Sequence, residues 1–177
     1  MAACSPPCFP DTTTLPETRP TPRLLMSHPA HFISLGFGSG LSPRAPGTAG
    51  TLLAWLLYPL LRTPLSEGTF LALVCALFVA GILAAERTGR ALGASDHGAI
   101  VWDEMVATWL VLAFTPAGLI WQAVAVALFR LFDITKPPPI RWADSHVKGG
   151  FGVMLDDILA AGYTLLVLAV LVVIFGA

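Results

Sequence analysis

Five acidic residues lie at the edges of long apolar segments: Asp103, Glu104, Asp133, Asp156 and Asp157. An ionised carboxylate near hydrocarbon is costly unless it is paired, hydrated or bound to a metal, so acids in such places mark functional sites. Clustered carboxylate oxygens suit Mg²⁺, which binds proteins through carboxylates, water and substrate phosphate. Asp156 and Asp157 follow a glycine-rich turn at residues 149–152 and are expected to open the last helix, where the helix dipole favours negative charge. The pattern therefore predicts a Mg²⁺ site, with all five acids as candidate ligands.

Two basic residues accompany Asp133. Arg130, Asp133 and Lys136 recur every three residues, so they share one helix face. Arg130 and Asp133 in a plain salt bridge is one interpretation. The other is that Arg130 and Lys136 hold phosphate oxygens beside a metal-binding acid. Phosphoryl transfer is the chemistry that most needs both a metal and cations, so we predict that Arg130, Lys136 and the five acids are catalytic.

A glycine-rich stretch, GFGSGLSPRAPGTAGT from Gly36, precedes the first apolar segment. Glycines let backbone amides approach an anion, and a following helix N-terminus adds unpaired N–H groups. A re-entrant Gly/Pro turn is the alternative, and the spacing is not that of a Walker loop. We predict that a phosphate or phospholipid head group contacts Arg130, Lys136 and this stretch. The predicted contacts in the stretch are Gly38, Ser39, Gly40, Ser42, Pro43, Gly47, Thr48, Gly50 and Thr51.

The composition indicates a membrane protein. Charged residues make up 12% of the chain and hydrophobic residues 55%, whereas soluble domains are about 25% charged. The net charge of −1 and the lack of a basic stripe exclude a nucleic-acid partner. The sequence does not indicate an oligomeric state. His97 and His146 are candidate proton donors that the sequence does not rank.

Four apolar segments follow the glycine-rich stretch. Residues 52–61 are too few to cross a bilayer and predict a short or partly inserted helix, whereas residues 69–85 and 158–177 are predicted spans. Residues 105–129 are interrupted by Thr115, Pro116 and Gly118. One continuous helix would hold Asp103 and Asp133 about 45 Å apart, so a helical hairpin is predicted instead.

This arrangement places three polar segments on one membrane face: residues 36–50, 86–104 and 130–157. Arg62 alone among the ten basic residues falls on the opposite face, so the positive-inside rule makes the polar face cytoplasmic. The predicted fold is all-α, an integral membrane protein of short helical hairpins with polar catalytic loops on the cytoplasmic face. Residues 1–30 are predicted to be a disordered tail, and residues 31–177 the membrane-embedded domain.

Four blocks carry a family resemblance: GFGSGLSPRAPGTAGT from Gly36, DHGAIVWDEMV from Asp96, FRLFDITKPPPIRWAD from Phe129 and GGFGVMLDDILAAG from Gly149. Over residues 34–162 the chain resembles the phosphatidylglycerophosphatase A family. The resemblance implies a Mg²⁺-dependent enzyme of phospholipid biosynthesis in the bacterial inner membrane. Its lipid substrate would be phosphatidylglycerophosphate and its products phosphatidylglycerol and phosphate. Family members often have Val-Gly after the Asp-Glu pair, whereas Met105, Val106 and Ala107 follow here.

Two other functions compete with this one. A cytidine-diphosphate-alcohol transferase also uses Mg²⁺ at a membrane surface, but the Asp-Gly and Ala-Arg motif of that class is missing. A small ion or solute transporter would carry acids near the bilayer midplane between broken helices. The acids of this chain gather at segment ends instead, which favours an interfacial active site. The phosphatase ranks first, the transferase second and the transporter third.

Overall fold

Helices account for all the regular secondary structure in residues 19–94 and 96–176, which this computed structural model describes. The predicted all-α class is therefore confirmed. A 3₁₀ segment, Gly36–Leu41, lies between the second and third α-helices. In chain order the α-helices are α1 (Pro22–Ser27), α2 (Pro29–Ser34), α3 (Pro46–Arg62), α4 (Glu67–Leu92), α5 (Trp102–Ala113), α6 (Leu119–Thr135), α7 (Ile140–His146) and α8 (Gly149–Phe175).

Helix α5 lies at the centre of the bundle, in contact with α3, α4, α6 and α8. Nine of its 12 residues are buried. Met105 and Trp109 join one apolar cluster with α3 and α4. Ala107 and Val111 join a second cluster with α6 and α8. Because both faces of α5 are packed, the acids in its first turn are held inside the protein.

The predicted hairpin is confirmed. Helix α5 ends at Ala113 and α6 begins at Leu119, with the breaker residues between them. Gly118 has a φ of 121°, a backbone conformation that favours glycine. The turn returns the chain to the end of the bundle where α5 begins, and Arg130 of α6 therefore contacts both Glu104 and Asp133.

Two of the described helices, α4 and α8, are long and apolar enough to cross a membrane. They contain 26 and 27 residues, which corresponds to about 40 Å each at 1.5 Å per residue. Large apolar side chains on them face outward, with Leu83 71% and Val173 84% exposed. The predicted span at residues 69–85 lies within α4, and residues 158–175 of the predicted span at 158–177 lie within α8.

Helix α8 begins earlier than predicted. Residues 149–152 were expected to form a glycine-rich turn, with Asp156 and Asp157 opening the helix, but the helix starts at Gly149. The glycines are there for packing, because a Cβ at Gly150 would overlap the Ile82 carbonyl oxygen of α4. Both aspartates therefore lie inside α8, and the predicted stabilisation by the helix N-terminus is wrong for them.

Helix α3 also begins earlier than predicted. Its first residue is Pro46, a residue suited to the first helical position. Gly47, Thr48, Gly50 and Thr51, which were assigned to a loop, are therefore helical. Leu52, Leu56 and Leu60 recur every four residues and are all exposed, so they form an apolar stripe on the outer face of the helix.

Part of the predicted disordered tail is helical. Thr21 Oγ1 accepts a hydrogen bond from the Leu24 backbone N–H at 3.2 Å, and Pro22 occupies the first position of α1. These two signals start a helix where the Pro/Thr-rich composition predicted none. Residues 1–18 lie outside the described residues, so the tail prediction stays a prediction for them.

Candidate active site

Three carboxylates meet where α5 and α8 cross. Asp103 and Glu104 lie in the first turn of α5, and Asp157 lies inside α8. One oxygen from each side chain lies within 4.8 Å of the other two. Asp103 is 8% exposed and Asp157 2% exposed. We call these three residues the acid cluster.

The acid cluster leaves three oxygens without hydrogen bonds. Asp103 Oδ1, Glu104 Oε2 and Asp157 Oδ2 are buried, and none has a hydrogen-bond partner among the described residues. Buried polar atoms in proteins are nearly always satisfied, so three orphaned oxygens in one place need an explanation. A cation bound between them would supply it.

The pKa values in α5 reflect the same crowding. Burial, followed by the neighbouring Glu104 carboxylate, raises the pKa of Asp103 well above its ordinary value. Burial also raises the pKa of Glu104 to about 7, although the Arg130 guanidinium opposes this rise. Without a cation these carboxyl groups hold protons more tightly than exposed ones. The residues therefore fit a divalent metal ion, because each of the three side chains offers a carboxylate oxygen.

The other two predicted ligands are paired with cations of this chain. Arg130 Nη1 donates to Asp133 Oδ2 at 2.6 Å and to Glu104 Oε1 at 3.4 Å. Lys136 Nζ donates to Asp156 Oδ2 at 2.5 Å. The salt bridge between Arg130 and Asp133 that the sequence left open is therefore present. A direct role for Asp133 and Asp156 as metal ligands stays a prediction.

Lys136 has a second acidic partner that the sequence prediction missed. Its Nζ also donates to Asp144 Oδ1 at 2.7 Å. Burial alone would lower the pKa of Lys136, but the carboxylates of Asp144 and Asp156 raise it above its ordinary value. The available signal was that Asp144 follows Lys136 by eight residues in one dense polar segment. Asp144 also lines a small cavity with Asp96 and Lys148.

The N-terminus of α3 lies against the acid cluster. A Cβ at Gly47 would overlap Glu104 Oε1 and would lie 3.1 Å from Arg130 Nη2. Ala45 at the N-cap has a left-handed φ of 47° and makes no side-chain cap, so first-turn N–H groups are without an intrahelical acceptor. Arg130 Nε is also buried without a hydrogen-bond partner among the described residues. Hydrogen-bond donors without an acceptor therefore lie beside the acid cluster, on its α3 side.

Two other glycines of this stretch, Gly40 and Gly50, are tightly packed. A Cβ at Gly40 would overlap the Ala99 carbonyl oxygen, and one at Gly50 would lie 2.9 Å from Val101 Cβ. These contacts press the glycine-rich stretch onto the segment that leads into α5. Packing therefore explains why Gly40 and Gly50 lack side chains. The predicted ligand contacts of this stretch stay predictions.

Three hydroxyls of the same stretch make local hydrogen bonds. Each hydrogen bond runs from a side chain to a nearby carbonyl, in the pairs Ser39 to Gly36 at 2.8 Å, Ser42 to Arg44 at 2.8 Å and Thr51 to Gly47 at 2.9 Å. Gly38 has a φ of 106°. Pro43 is exposed and Thr48 half-buried. Of the predicted phosphate contacts in this stretch, Gly47 lies against Glu104 and Arg130.

The two histidines make local contacts. His97 Nδ1 accepts a hydrogen bond from the Ala99 backbone N–H at 3.1 Å. His146 is exposed and stacks on Trp142 with ring centroids 5.0 Å apart. Among the described residues, neither histidine hydrogen-bonds to the acid cluster. The structure gives no support for choosing either as the proton donor.

Comparisons with known proteins identify the family. A family model described as Phosphatidylglycerophosphatase A matches residues 32–172. The chain is 43% identical to phosphatidylglycerophosphatase A of Haemophilus influenzae, over 85% of this chain and 93% of that protein. It is 42% identical to phosphatidylglycerophosphatase A of Escherichia coli, over 78% of this chain and 80% of that protein.

A relative with a different name is equally similar. The chain is 46% identical to a putative phosphatidylinositol-3-phosphatase of Bacteroides thetaiotaomicron, over 78% of this chain and 90% of that protein. No solved structure matches the chain significantly. The family model covers all three residues of the acid cluster, and each relative matches more than three quarters of the chain. The chain therefore belongs to the phosphatidylglycerophosphatase A family of phosphatases.

Proposed function

We propose that the protein is a Mg²⁺-dependent phosphatase that hydrolyses phosphatidylglycerophosphate to phosphatidylglycerol and inorganic phosphate. The observation that carries the metal requirement is the acid cluster, in which three buried carboxylate oxygens have no partner of their own. The family membership supports the reaction class and the role in phospholipid biosynthesis.

Asp103, Glu104 and Asp157 would hold the metal ion. Hard oxygen donors of this kind are those that Mg²⁺ prefers. When bound, the ion would neutralise phosphoryl oxygens and lower the pKa of a bound water. Asp133 and Asp156, each held by a cation of the chain, would complete the acidic surroundings without needing the metal for charge balance.

The phosphoryl group of the substrate would lie between the acid cluster and the N-terminus of α3. Arg130 Nε and the first-turn amides of α3 could donate hydrogen bonds to the oxygens of this anion. Because Gly47 has no side chain, the side chains of Glu104 and Arg130 both lie against the first turn of α3. In the reaction a water oxygen bonds to phosphorus, the bond from phosphorus to the glycerol oxygen breaks, and that oxygen leaves with a proton.

Helices α4 and α8 would cross the membrane. Their polar ends lie together, because Glu86 of α4 accepts a hydrogen bond from the Gly150 backbone N–H of α8. Arg87, Arg90 and Lys148 lie at this end, whereas Arg62 lies at the far end of α3. The positive-inside rule then puts the active site on the cytoplasmic face of the bacterial inner membrane.

Phosphate release from phosphatidylglycerophosphate in mixed micelles tests the reaction. We expect purified protein to release phosphate with Mg²⁺, and to release none with excess chelator. Glu67→Gln, an exposed acid at the far end of α4, is the matched control and should behave like the parent protein. Release that continues in chelator would refute the metal requirement. Preferential hydrolysis of phosphatidylinositol 3-phosphate would refute the proposed head group.

Labelling with a membrane-impermeant thiol reagent tests the orientation. In a background without the native cysteines, a cysteine replacing Ser66 should be labelled from outside intact spheroplasts, whereas one replacing Lys148 should react only after lysis. Both positions are exposed, so accessibility within the protein does not separate them. The reverse labelling pattern would contradict a cytoplasmic active site.

A further inference from the structure

Helix α8 starts without a cap from its own sequence. Lys148 occupies the N-cap and makes no side-chain capping hydrogen bond, and the first N–H groups of a helix have no intrahelical acceptor. Glu86, on α4, supplies one. Its Oε2 accepts a hydrogen bond from the Gly150 backbone N–H at 2.7 Å. A charged acceptor at a helix N-terminus also complements the helix dipole.

The two helices approach closely at this point. A Cβ at Gly149 would lie 2.7 Å from Glu86 Oε2, and one at Gly150 would lie 2.7 Å from the Glu86 backbone nitrogen. Arg90 holds the other carboxylate oxygen, since its Nη2 lies 2.6 Å from Glu86 Oε1. Glu86 is thereby oriented with one oxygen on its own helix and the other on α8.

A second close contact lies further along the same pair of helices. A Cβ at Gly81 would lie 2.7 Å from Met154 Sδ. The contacts at Gly150 and Met154 fix both the rotation of α8 and its position along its axis. Asp157 follows Met154 by three residues, so these contacts also set where its carboxylate lies. Small residues at such contacts are typical of helices packed within membranes.

We infer that Glu86 is a positioning residue, which caps α8 from α4 and so holds Asp157 among Asp103 and Glu104. This inference rests on the proposed metal site. In the described residues Glu86 hydrogen-bonds to Arg90 and Gly150, and to neither the acid cluster nor Arg130. Its effect reaches the site through the backbone of α8, over about two helical turns from Gly150 to Asp157.

Mn²⁺ binding, followed by electron paramagnetic resonance in detergent, tests the inference without an activity assay. Glu86→Ala should weaken Mn²⁺ binding roughly 10-fold, the scale of a lost supporting contact. Glu86→Gln keeps an acceptor for Gly150 and should stay within about twofold of the parent. Glu67→Ala removes an exposed acid from the same helix and is the control. If Glu86→Ala fails to fold, Glu86→Asp replaces it, because its shorter side chain cannot reach Gly150.

Amide hydrogen exchange supplies the second readout. Residues 149–157 should exchange faster in Glu86→Ala than in the parent or in Glu86→Gln. Mn²⁺ binding by Glu86→Ala equal to that of the parent would overturn the inference, as would equal losses in Glu86→Ala and Glu86→Gln. A parent protein that binds no Mn²⁺ would refute the proposed metal site instead. In that case the exchange rates alone decide whether Glu86 orders this end of α8.

Discussion

Asp156 and Asp157 are neighbours on helix α8, but their carboxylates lie in opposite electrostatic surroundings. Both are buried, with 6% and 2% of their surface exposed. Asp156 accepts a hydrogen bond from Lys136, whereas Asp157 Oδ2 has no partner among the described residues. Burial therefore does not decide whether an acid is free to bind a metal. The two aspartates differ in their pairing, because Lys136 donates to Asp156 and not to Asp157.

The same contrast separates the acids of α5 and α6. Asp133 receives a short hydrogen bond of 2.6 Å from Arg130, whereas Glu104 receives a longer one of 3.4 Å. The second oxygen of Glu104 is unpaired. The site thus has a frame of paired acids around an open centre. Each prediction below separates the frame from the centre.

Substitution at the centre should have the largest effect. Asp157→Asn removes one charged oxygen of the acid cluster, so we expect turnover to fall by roughly 100-fold or more. In chelator the same variant should unfold at a higher temperature than the parent, because the repulsion among buried carboxylates is reduced. Phosphate release and thermal unfolding measure the two effects. Normal turnover in this variant would remove Asp157 from the metal site.

Adding a methyl group beside the acid cluster should lower turnover nearly as much. The Cβ of Gly47→Ala would overlap Glu104 Oε1 and approach Arg130. Displacing either group by about 1 Å should lower turnover between roughly 10-fold and 100-fold. Gly162→Ala is the matched control, since an added Cβ there meets no atom within 4 Å. Equal activity of the two variants would show that the α3 N-terminus lies outside the reaction site.

Substitution in the frame should cost less. In Asp156→Asn, Lys136 keeps its contact with Asp144, so we expect turnover to fall only about 10-fold, as for a group that supports a ligand. The variant should still bind Mn²⁺. Loss of Mn²⁺ binding as complete as in Asp157→Asn would show that both aspartates are ligands, and the contrast between them would be wrong.

The smallest predicted effect is the change in the free energy of unfolding with pH. The folded protein holds a proton on Glu104 up to a pKa of about 7, whereas the ordinary value is 4.5. Between these values the folded state binds more protons than the unfolded chain, so in chelator the free energy of unfolding should fall as pH rises, by about 3 kcal/mol at most. Thermal unfolding in chelator measures this fall.

Glu104→Gln is the control for the pH dependence. It removes the titrating group, so its stability should vary less between these pH values than that of the parent. Saturating Mg²⁺ should also flatten the dependence, because a bound cation stabilises the ionised carboxylate. A parent protein whose stability in chelator rises over this range would contradict the raised pKa of Glu104.

The sequence predicted the elements well where the signal was local. The breaker residues near Pro116 and Gly118 divided α5 from α6, and the uncharged runs located α4 and α8. The first residues of the helices were harder to predict from the sequence. Gly149 and Gly150 were interpreted as a turn, because glycine usually breaks helices. Here the lack of side chains lets α8 approach α4, which depends on residues more than 60 positions away.

The sequence predicted which acids form the site, but not which of them pair with a cation of the chain. All five acids gather at one end of the bundle, as their placement at segment ends indicated. The sequence did not separate Asp156 from Asp157, because adjacent residues of a helix point about 100° apart and their partners come from other elements. Glu86 and Asp144 were missed for the same reason, since each acts through a contact distant in sequence.

The most direct test of the central claim is the Mn²⁺ stoichiometry of the purified protein and two variants, followed by electron paramagnetic resonance. We expect about one Mn²⁺ per chain in the parent, held by the three carboxylates of the acid cluster. Asp157→Asn should lose this ion, and Asp133→Asn, which removes an acid already paired with Arg130, should keep it. Retention by Asp157→Asn together with loss by Asp133→Asn would contradict the assignment of the open centre as the metal site.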